Sequence, residues 1–223
     1  MTPRSEAWLW VQLIAGAALP AELVLLVLLL AGADPGPLPA LERLLSWALG
    51  AVAPALLLGR RPADLRSLLL FKAADREPTA LQSQLAAQQQ QTVVQVLFAL
   101  GVVAMLPLLV WADRTAALAT ALSPLQHTGR LSCLLAGTAV LALMVWQWQQ
   151  LVQAIWLLTR RGEQLAATAP LSSEALQHGR THLGLPLLRL PVLSFESAGP
   201  AVAVEREQAT KENQGADLDQ QVS

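Results

Sequence analysis

Four long apolar runs separated by more polar segments dominate the pattern of this chain, at about residues 8–31, 38–58, 93–111 and 131–152. A bilayer core of about 30 Å requires about 20 mostly apolar residues in a helix, because each residue advances 1.5 Å and every buried amide needs an internal partner. The pattern therefore predicts an all-α fold, an integral membrane bundle of four transmembrane helices. The second run is the least regular, since Glu42 and Arg43 lie near its start.

Tryptophan positions support these boundaries. The indole ring prefers the membrane interface, where its apolar body is buried and its N–H stays hydrated. Trp47 is predicted to lie deeper. The other six tryptophans fall at or near a predicted boundary: Trp8, Trp10, Trp111, Trp146, Trp148 and Trp156.

The distribution of lysine and arginine predicts the orientation, because basic residues concentrate on the cytoplasmic side. With both termini cytoplasmic, the outer side carries Arg43, Arg114 and Arg130. The inner side then carries a larger set: Arg4, Arg60, Arg61, Arg66, Lys72, Arg76, Arg160 and Arg161. The alternative is a cleaved signal peptide ending at Ala31-Gly32-Ala33, which would leave three spans. The first apolar run, however, starts at Ala7 and is longer than a usual signal core.

Composition excludes several classes of protein. The 223 residues are 54% hydrophobic and 14% charged, an apolar excess that soluble domains rarely carry. A net charge of −1 gives no basic field for nucleic acid. One cysteine excludes an internal disulfide, and no predicted span contains a histidine to ligate haem. We find no catalytic motif, so we expect no enzyme activity, no cofactor and no metal site, although His178 and His182 have helical spacing.

The chain divides into a membrane domain, residues 1–161, and a cytoplasmic low-complexity tail, residues 162–223, predicted to be disordered from about residue 197. Residues 59–92 form a cytoplasmic loop. Its second half, from Glu77-Pro78 to Gln91, predicts a helix that continues without a break into the third span. Its first half predicts a short helix on the inner leaflet with a basic patch: Arg60, Arg61, Arg66 and Lys72.

Glu22 is the sharpest candidate for a functional residue, because a carboxylate inside the membrane is expensive to insert. It can pair with Arg43 on the next span, stay protonated in a helix contact, relay protons or ions, or meet another protein. Gln147 and Gln150 in the fourth span can bond across helices or bind a headgroup, or they can mark the inner interface. These four residues make up the candidate intramembrane polar site.

Prolines lie inside three of the predicted spans. Pro20 and Pro54 each follow a glycine by four positions, Gly16 and Gly50, and each proline removes one hydrogen bond from its helix. We therefore predict kinks there. Small residues in the second span, Ala48, Ala51 and Ala55, favour close approach of a neighbouring helix.

Several short segments carry a resemblance to a known family: SEAWLW at 5–10, AALP at 17–20, APALLLGRRP at 53–62 and the acidic tail. With them, the chain resembles the cyanobacterial low-complexity tail membrane proteins over residues 5–161. The resemblance implies a multi-span protein in the plasma or thylakoid membrane of a photosynthetic bacterium. It implies no activity and no catalytic residue.

These observations favour a non-catalytic scaffold, an assembly or stabilising partner of a membrane complex. We expect it to contact membrane lipid and a protein partner through the cytoplasmic loop and tail, and to bind no nucleic acid. The alternative is a small transporter or channel subunit that uses Glu22 in a bundle of kinked helices.

Overall fold

The structure is a computed structural model, and it describes residues 3–63, 80–89 and 91–160. These residues all lie in the first of two compact units, Met1–Leu190. The helices are α1 (Ala7–Gly16), α2 (Leu19–Leu30), α3 (Pro39–Trp47), α4 (Ala53–Arg60), α5 (Ala80–Gln88), α6 (Thr92–Thr115) and α7 (Arg130–Leu158). A wide π-type turn, Ala48–Val52, joins α3 to α4, and a 3₁₀ helix, Ala116–Leu122, extends α6.

Four helical stretches are long and apolar enough to cross a membrane, Trp8–Leu30, Pro39–Arg60, Thr92–Leu122 and Arg130–Leu158. The prediction of an all-α bundle with four transmembrane helices is thus confirmed. The third and fourth stretches continue beyond the predicted limits of 111 and 152. Helical hydrogen bonding does not end where hydropathy falls, and the residues that follow Trp111 and Val152 include neither proline nor glycine until after the helices end.

Helix α7 is central to the packing. It contacts α1, α2, α6 and both halves of the second span. Its buried face carries Val140, Leu141, Met144 and Val145, which belong to the main apolar core together with Leu26 of α2. We define the loop end of the bundle as the end that contains residues 31–38 and 123–129. The terminal end contains the start of α1 and the end of α7.

Both predicted proline kinks have a structural counterpart. In the first span α1 ends at Gly16, and α2 begins at Leu19 with Pro20 in its first turn. In the second span the π-type turn directly precedes Pro54, and the Ala53 amide bonds to the Ala48 carbonyl five residues earlier. The span therefore continues across the proline by widening one turn rather than by breaking.

Close helix approach in the second span depends on Gly50. A Cβ atom at Gly50 would lie 2.7 Å from the backbone oxygen of Thr138 on α7. Ala51 beside it is fully buried, and Ala55 packs against the core. Small side chains thus let the second span reach α7, as the sequence predicts.

The prediction that a long helix of the cytoplasmic loop continues into the third span is wrong. Helix α5 ends at Gln88, and α6 begins at Thr92 after the extended residue Gln91. Leu85 of α5 is fully buried against Leu9 and Leu157 at the terminal end. Gln89, just beyond α5, is buried as well, so the glutamines of this segment are partly internal rather than all solvated.

Trp47, the tryptophan placed away from the interface, joins two spans. Its indole Nε1 donates a hydrogen bond of 2.9 Å to the carbonyl of Val102 on α6. The N–H of a partly buried indole usually finds such an acceptor, and this bond links the second span to the third.

Candidate intramembrane polar site

Glu22 lies in the first turn of α2, just after the break in the first span. At the break, the amides of Ala17 and Ala18 bond to carbonyls three residues earlier, both at 3.0 Å. The tighter turn redirects the chain, and α2 then packs along α7. Glu22 is only 7% exposed, so its carboxyl group faces the interior of the bundle.

The partner of Glu22 is Gln147 on α7. The amide Nε2 of Gln147 donates a hydrogen bond to Oε1 of Glu22. The other carboxyl oxygen of Glu22 and the amide oxygen of Gln147 are both buried, and neither has a hydrogen-bond partner among the described residues. The structure therefore joins two members of the candidate polar site.

The predicted ion pair between Glu22 and Arg43 is wrong. Arg43 instead donates its Nε hydrogen to Asp113 at the end of α6, at 2.7 Å. Arg43 stands in the second turn of α3 at the loop end, and Asp113, near the end of α6, lies at the same end of the bundle. Glu22 and Arg43 were predicted at similar depths in neighbouring spans, but they do not contact each other. After the break at Pro20, Glu22 faces α7 instead.

Asp113 is the centre of an ion network that sequence reasoning missed. Its side chain is 1% exposed, and it accepts hydrogen bonds from Arg43 and, at 2.8 Å, from Arg130 at the start of α7. Arg130 also bonds to Glu42 at 2.9 Å. Spans two, three and four are thus tied together at the loop end. A signal was present: two acids and two bases lie near span ends that the predicted topology places on one side.

The network also holds the loop between α2 and α3. Arg130 donates to the carbonyl of Ala33 at 3.4 Å, and the amide of Gly36 donates to Glu42 at 3.4 Å. The first span is therefore connected to the same charged cluster through its own loop.

Gln150 is buried. Two of its neighbours on α7 hold segments at the terminal end. Gln149 donates to the Leu58 carbonyl at 3.1 Å and accepts from the Ala63 amide at 3.3 Å. Gln153 accepts from Gln89, just beyond α5, at 3.3 Å. These glutamines fasten the ends of α4 and α5 to α7.

The predicted basic patch is only partly within the described residues. Arg60 ends α4 and is exposed, and Arg61 follows it. Arg66 and Lys72 lie outside the described residues, as do most of the cytoplasmic loop, residue 161 and the whole tail with His178 and His182.

The polar groups of the interior determine which ligands the bundle can hold. In the described parts of the chain, no group of three or more histidine, cysteine, aspartate or glutamate side chains is placed to hold a metal ion. Among these described residues, the interior offers an acid–amide pair, an ion network and a set of glutamine contacts. Such groups can bind a proton and fix helices to one another.

A family model for low-complexity tail membrane protein-like proteins matches residues 5–192 of the chain. The match extends beyond residue 161, the predicted limit of the resemblance. No curated protein and no solved structure matches the chain. The cyanobacterial origin stays a prediction. With four helices able to cross a membrane and a match over most of its length, the chain is an integral membrane protein that belongs to the low-complexity tail membrane protein-like family.

Proposed function

We propose that this protein is a non-catalytic scaffold that stabilises a membrane complex. The observation that carries the proposal is that polar contacts hold the helices together at both ends of the bundle. At the loop end, Asp113 holds Arg43 and Arg130 from two other spans. At the terminal end, Gln149 and Gln153 hold the segments that follow α4 and α5.

These contacts favour a rigid bundle over one that changes conformation. Alternating access requires helices to separate at one end and then at the other. Here, separation at the loop end would leave charged groups without partners in a poorly hydrated setting, which is costly. A bundle that stays closed at both ends suits a protein that presents surfaces to other molecules.

We propose that the chain lies in the plasma or thylakoid membrane with both termini on the cytoplasmic side, because basic residues concentrate on that side. In this orientation the cytoplasmic loop and the tail face the same compartment and are available to a protein partner. Lipid contacts the apolar outer faces of the helices. A shallow groove on α6 beside Pro107 is one such surface, with Trp111 and Arg114 toward the loop end.

Quantitative affinity capture in mild detergent tests the scaffold proposal. The full chain is compared with a variant truncated after residue 161, which keeps all described residues. We expect one companion protein at constant stoichiometry with the full chain, and its loss with the truncated variant. Capture of no companion, or of the same proteins by both chains, would contradict contact through the tail.

A second candidate, a small transporter or channel subunit, is favoured by one observation. Oε2 of Glu22 is buried inside the bundle without a partner among the described residues, one turn after a helix break. Proton or ion flux into tight vesicles distinguishes the two proposals. Flux with the wild-type protein that disappears with Glu22→Gln would favour transport, whereas the scaffold proposal expects no flux from either.

A further inference from the structure

Glu22 and Gln147 form a buried pair in which two polar atoms are unused. Gln147 Nε2 donates to Glu22 Oε1, which joins α7 to α2. Glu22 Oε2 and Gln147 Oε1 are both buried and lack a hydrogen-bond partner in the described part of the chain. Buried polar atoms are usually satisfied, so this pair requires an explanation.

The chemistry of the two groups supplies one. An ionised carboxylate only accepts hydrogen bonds, and the carbonyl of an amide also only accepts. With Glu22 ionised, both unused atoms are therefore acceptors and cannot bond to each other. A proton on Oε2 provides the donor that the pair lacks.

We propose that Glu22 is a proton-binding site inside the membrane, where its neutral carboxyl group donates from Oε2 to Oε1 of Gln147. The acid and the amide then form a ring of two hydrogen bonds, with each group acting once as donor and once as acceptor. The ligand is a proton taken from water, and its release leaves the carboxylate. No other bond is made or broken.

The surroundings of the pair favour a proton over a metal ion or an arginine as the counter-charge. The elements packed against α2 are α6, α7 and the 3₁₀ helix Ala116–Leu122. Their described charged side chains, Asp113, Arg114 and Arg130, all lie at the loop end. Arg130 precedes Gln147 by 17 positions, about 25 Å along α7, and it is bonded to Asp113.

The remaining titratable group on these elements is the Cys133 thiol. It lies on the first turn of α7 at the loop end, about 21 Å along the helix from Gln147, and its sulfur contacts the Thr128 hydroxyl. Helix α1, which precedes α2, has no charged residue. A carboxylate at this depth would thus have no near counter-ion within the described elements, a costly state in hydrocarbon.

This inference goes beyond the scaffold proposal and does not depend on it. A bound proton that never leaves gives an uncharged pair of hydrogen bonds that holds the first and fourth spans together. A proton that exchanges would serve transport. Flux measurements decide the function, whereas the protonation of Glu22 is decided by a separate measurement.

Infrared spectroscopy tests the proposal directly. The full chain is purified in a detergent without ester groups, so that no lipid carbonyl overlaps the stretching band of a protonated carboxylic acid. An ordinary glutamate is ionised at neutral pH and contributes nothing to that band. We expect wild type to show the band at neutral pH, and ¹³C-labelled glutamate to shift it.

Three variants complete the experiment. Glu22→Gln should abolish the band and still fold, because a second amide reproduces both hydrogen bonds of the ring. Glu6→Gln, which removes a carboxyl group outside α1, is the matched control and should leave the band unchanged. Gln147→Leu should keep the band but move it to higher wavenumber, because the carboxyl group loses its partner.

The outcomes are decisive even if one variant misfolds. Absence of a glutamate-dependent band in wild type at neutral pH would overturn the proposal, as would a band that survives in folded Glu22→Gln protein. If Glu22→Gln fails to fold, the isotope shift in wild type and the shift in Gln147→Leu carry the test. An unchanged band position in Gln147→Leu would overturn the assigned partner.

Discussion

Arg43 and Asp113 form an ion pair of 2.7 Å across 70 positions of the chain, with the carboxylate almost fully buried. Because Asp113 also holds Arg130, one carboxylate neutralises part of two guanidinium groups from two other spans. This arrangement makes Asp113 the residue on which the loop end depends most.

Asp113→Asn should therefore destabilise the bundle strongly. The amide keeps the shape of the side chain but removes its charge, so two partly buried arginines lose their shared counter-ion. Breaking a buried pair in this way costs about 3–5 kcal/mol. Equilibrium denaturation in mixed micelles measures the free energy of unfolding.

The exposed acid Asp34 provides the control for this measurement. Asp34→Asn removes the same charge from the neighbouring loop and should change the free energy of unfolding by less than about 0.5 kcal/mol. Equal effects of the two substitutions would show that the network adds nothing to stability.

Gly50→Ala should destabilise the contact between the second span and α7. The added methyl would lie 2.7 Å from the Thr138 carbonyl oxygen and 3.0 Å from Cβ of Leu141, neither of which is the flexible tip of a side chain. Overpacking of this kind costs about 1–3 kcal/mol. The thermal unfolding midpoint in detergent reports the loss.

Gly59→Ala is the matched control, since a Cβ atom there meets nothing within 4 Å. Alanine is favoured over glycine in a helix by about 0.5–1 kcal/mol, so this variant should be neutral or slightly more stable. A lower midpoint for Gly59→Ala than for Gly50→Ala would contradict the close approach at Gly50.

Gln149→Ala should loosen the chain that follows α4. The substitution removes the acceptor of the Ala63 amide and the donor to the Leu58 carbonyl. An unsatisfied buried group costs about 1–3 kcal/mol. We expect faster hydrogen exchange in residues 58–63, measured by mass spectrometry. The exposed Gln95 on α6 offers a control, and Gln95→Ala should leave exchange in this segment unchanged.

The proposed orientation predicts a pattern of thiol labelling. With Cys133 replaced by serine, a single cysteine at His127, in the segment before α7, should react with a membrane-impermeant maleimide in intact cells. A cysteine at Ser223 should react only after the membrane is permeabilised. The reverse pattern would place the termini outside and contradict the inference from basic residues.

The four spans could be predicted because membrane crossing depends on length and hydropathy, which are local properties. The interruptions at Pro20 and Pro54 could be predicted for the same reason: a proline removes a known hydrogen bond. The break between α5 and α6 could not. It depends on the burial of Leu85 against Leu9 and Leu157, which no local pattern encodes.

Of the predicted polar site, the structure brings together Glu22 and Gln147, whereas Arg43 bonds to Asp113. Glu22, Arg43, Gln147 and Gln150 are all conspicuous by residue type, yet which of them touch depends on the rotation of each helix and on which helices are neighbours. The pairing of Glu22 with Arg43 was therefore wrong, and a functional role for Glu22 stays a prediction. Asp113 was missed because it follows Trp111 at the edge of an apolar run, where a charge is ordinary.

The wide turn at Ala48–Val52 makes the second span unsuitable for a single helical wheel. Its Ala53-to-Ala48 hydrogen bond takes in one extra residue, so everything after the turn is rotated by about 100° relative to an uninterrupted helix. Arg43 and Leu58 both face the protein under this phase. Deletion of one residue within the turn would give a regular helix and leave both side chains on their present faces, because it removes the extra residue that the turn takes in. The wide turn thus lets the second span hold one more residue while the ion network and the core keep their positions.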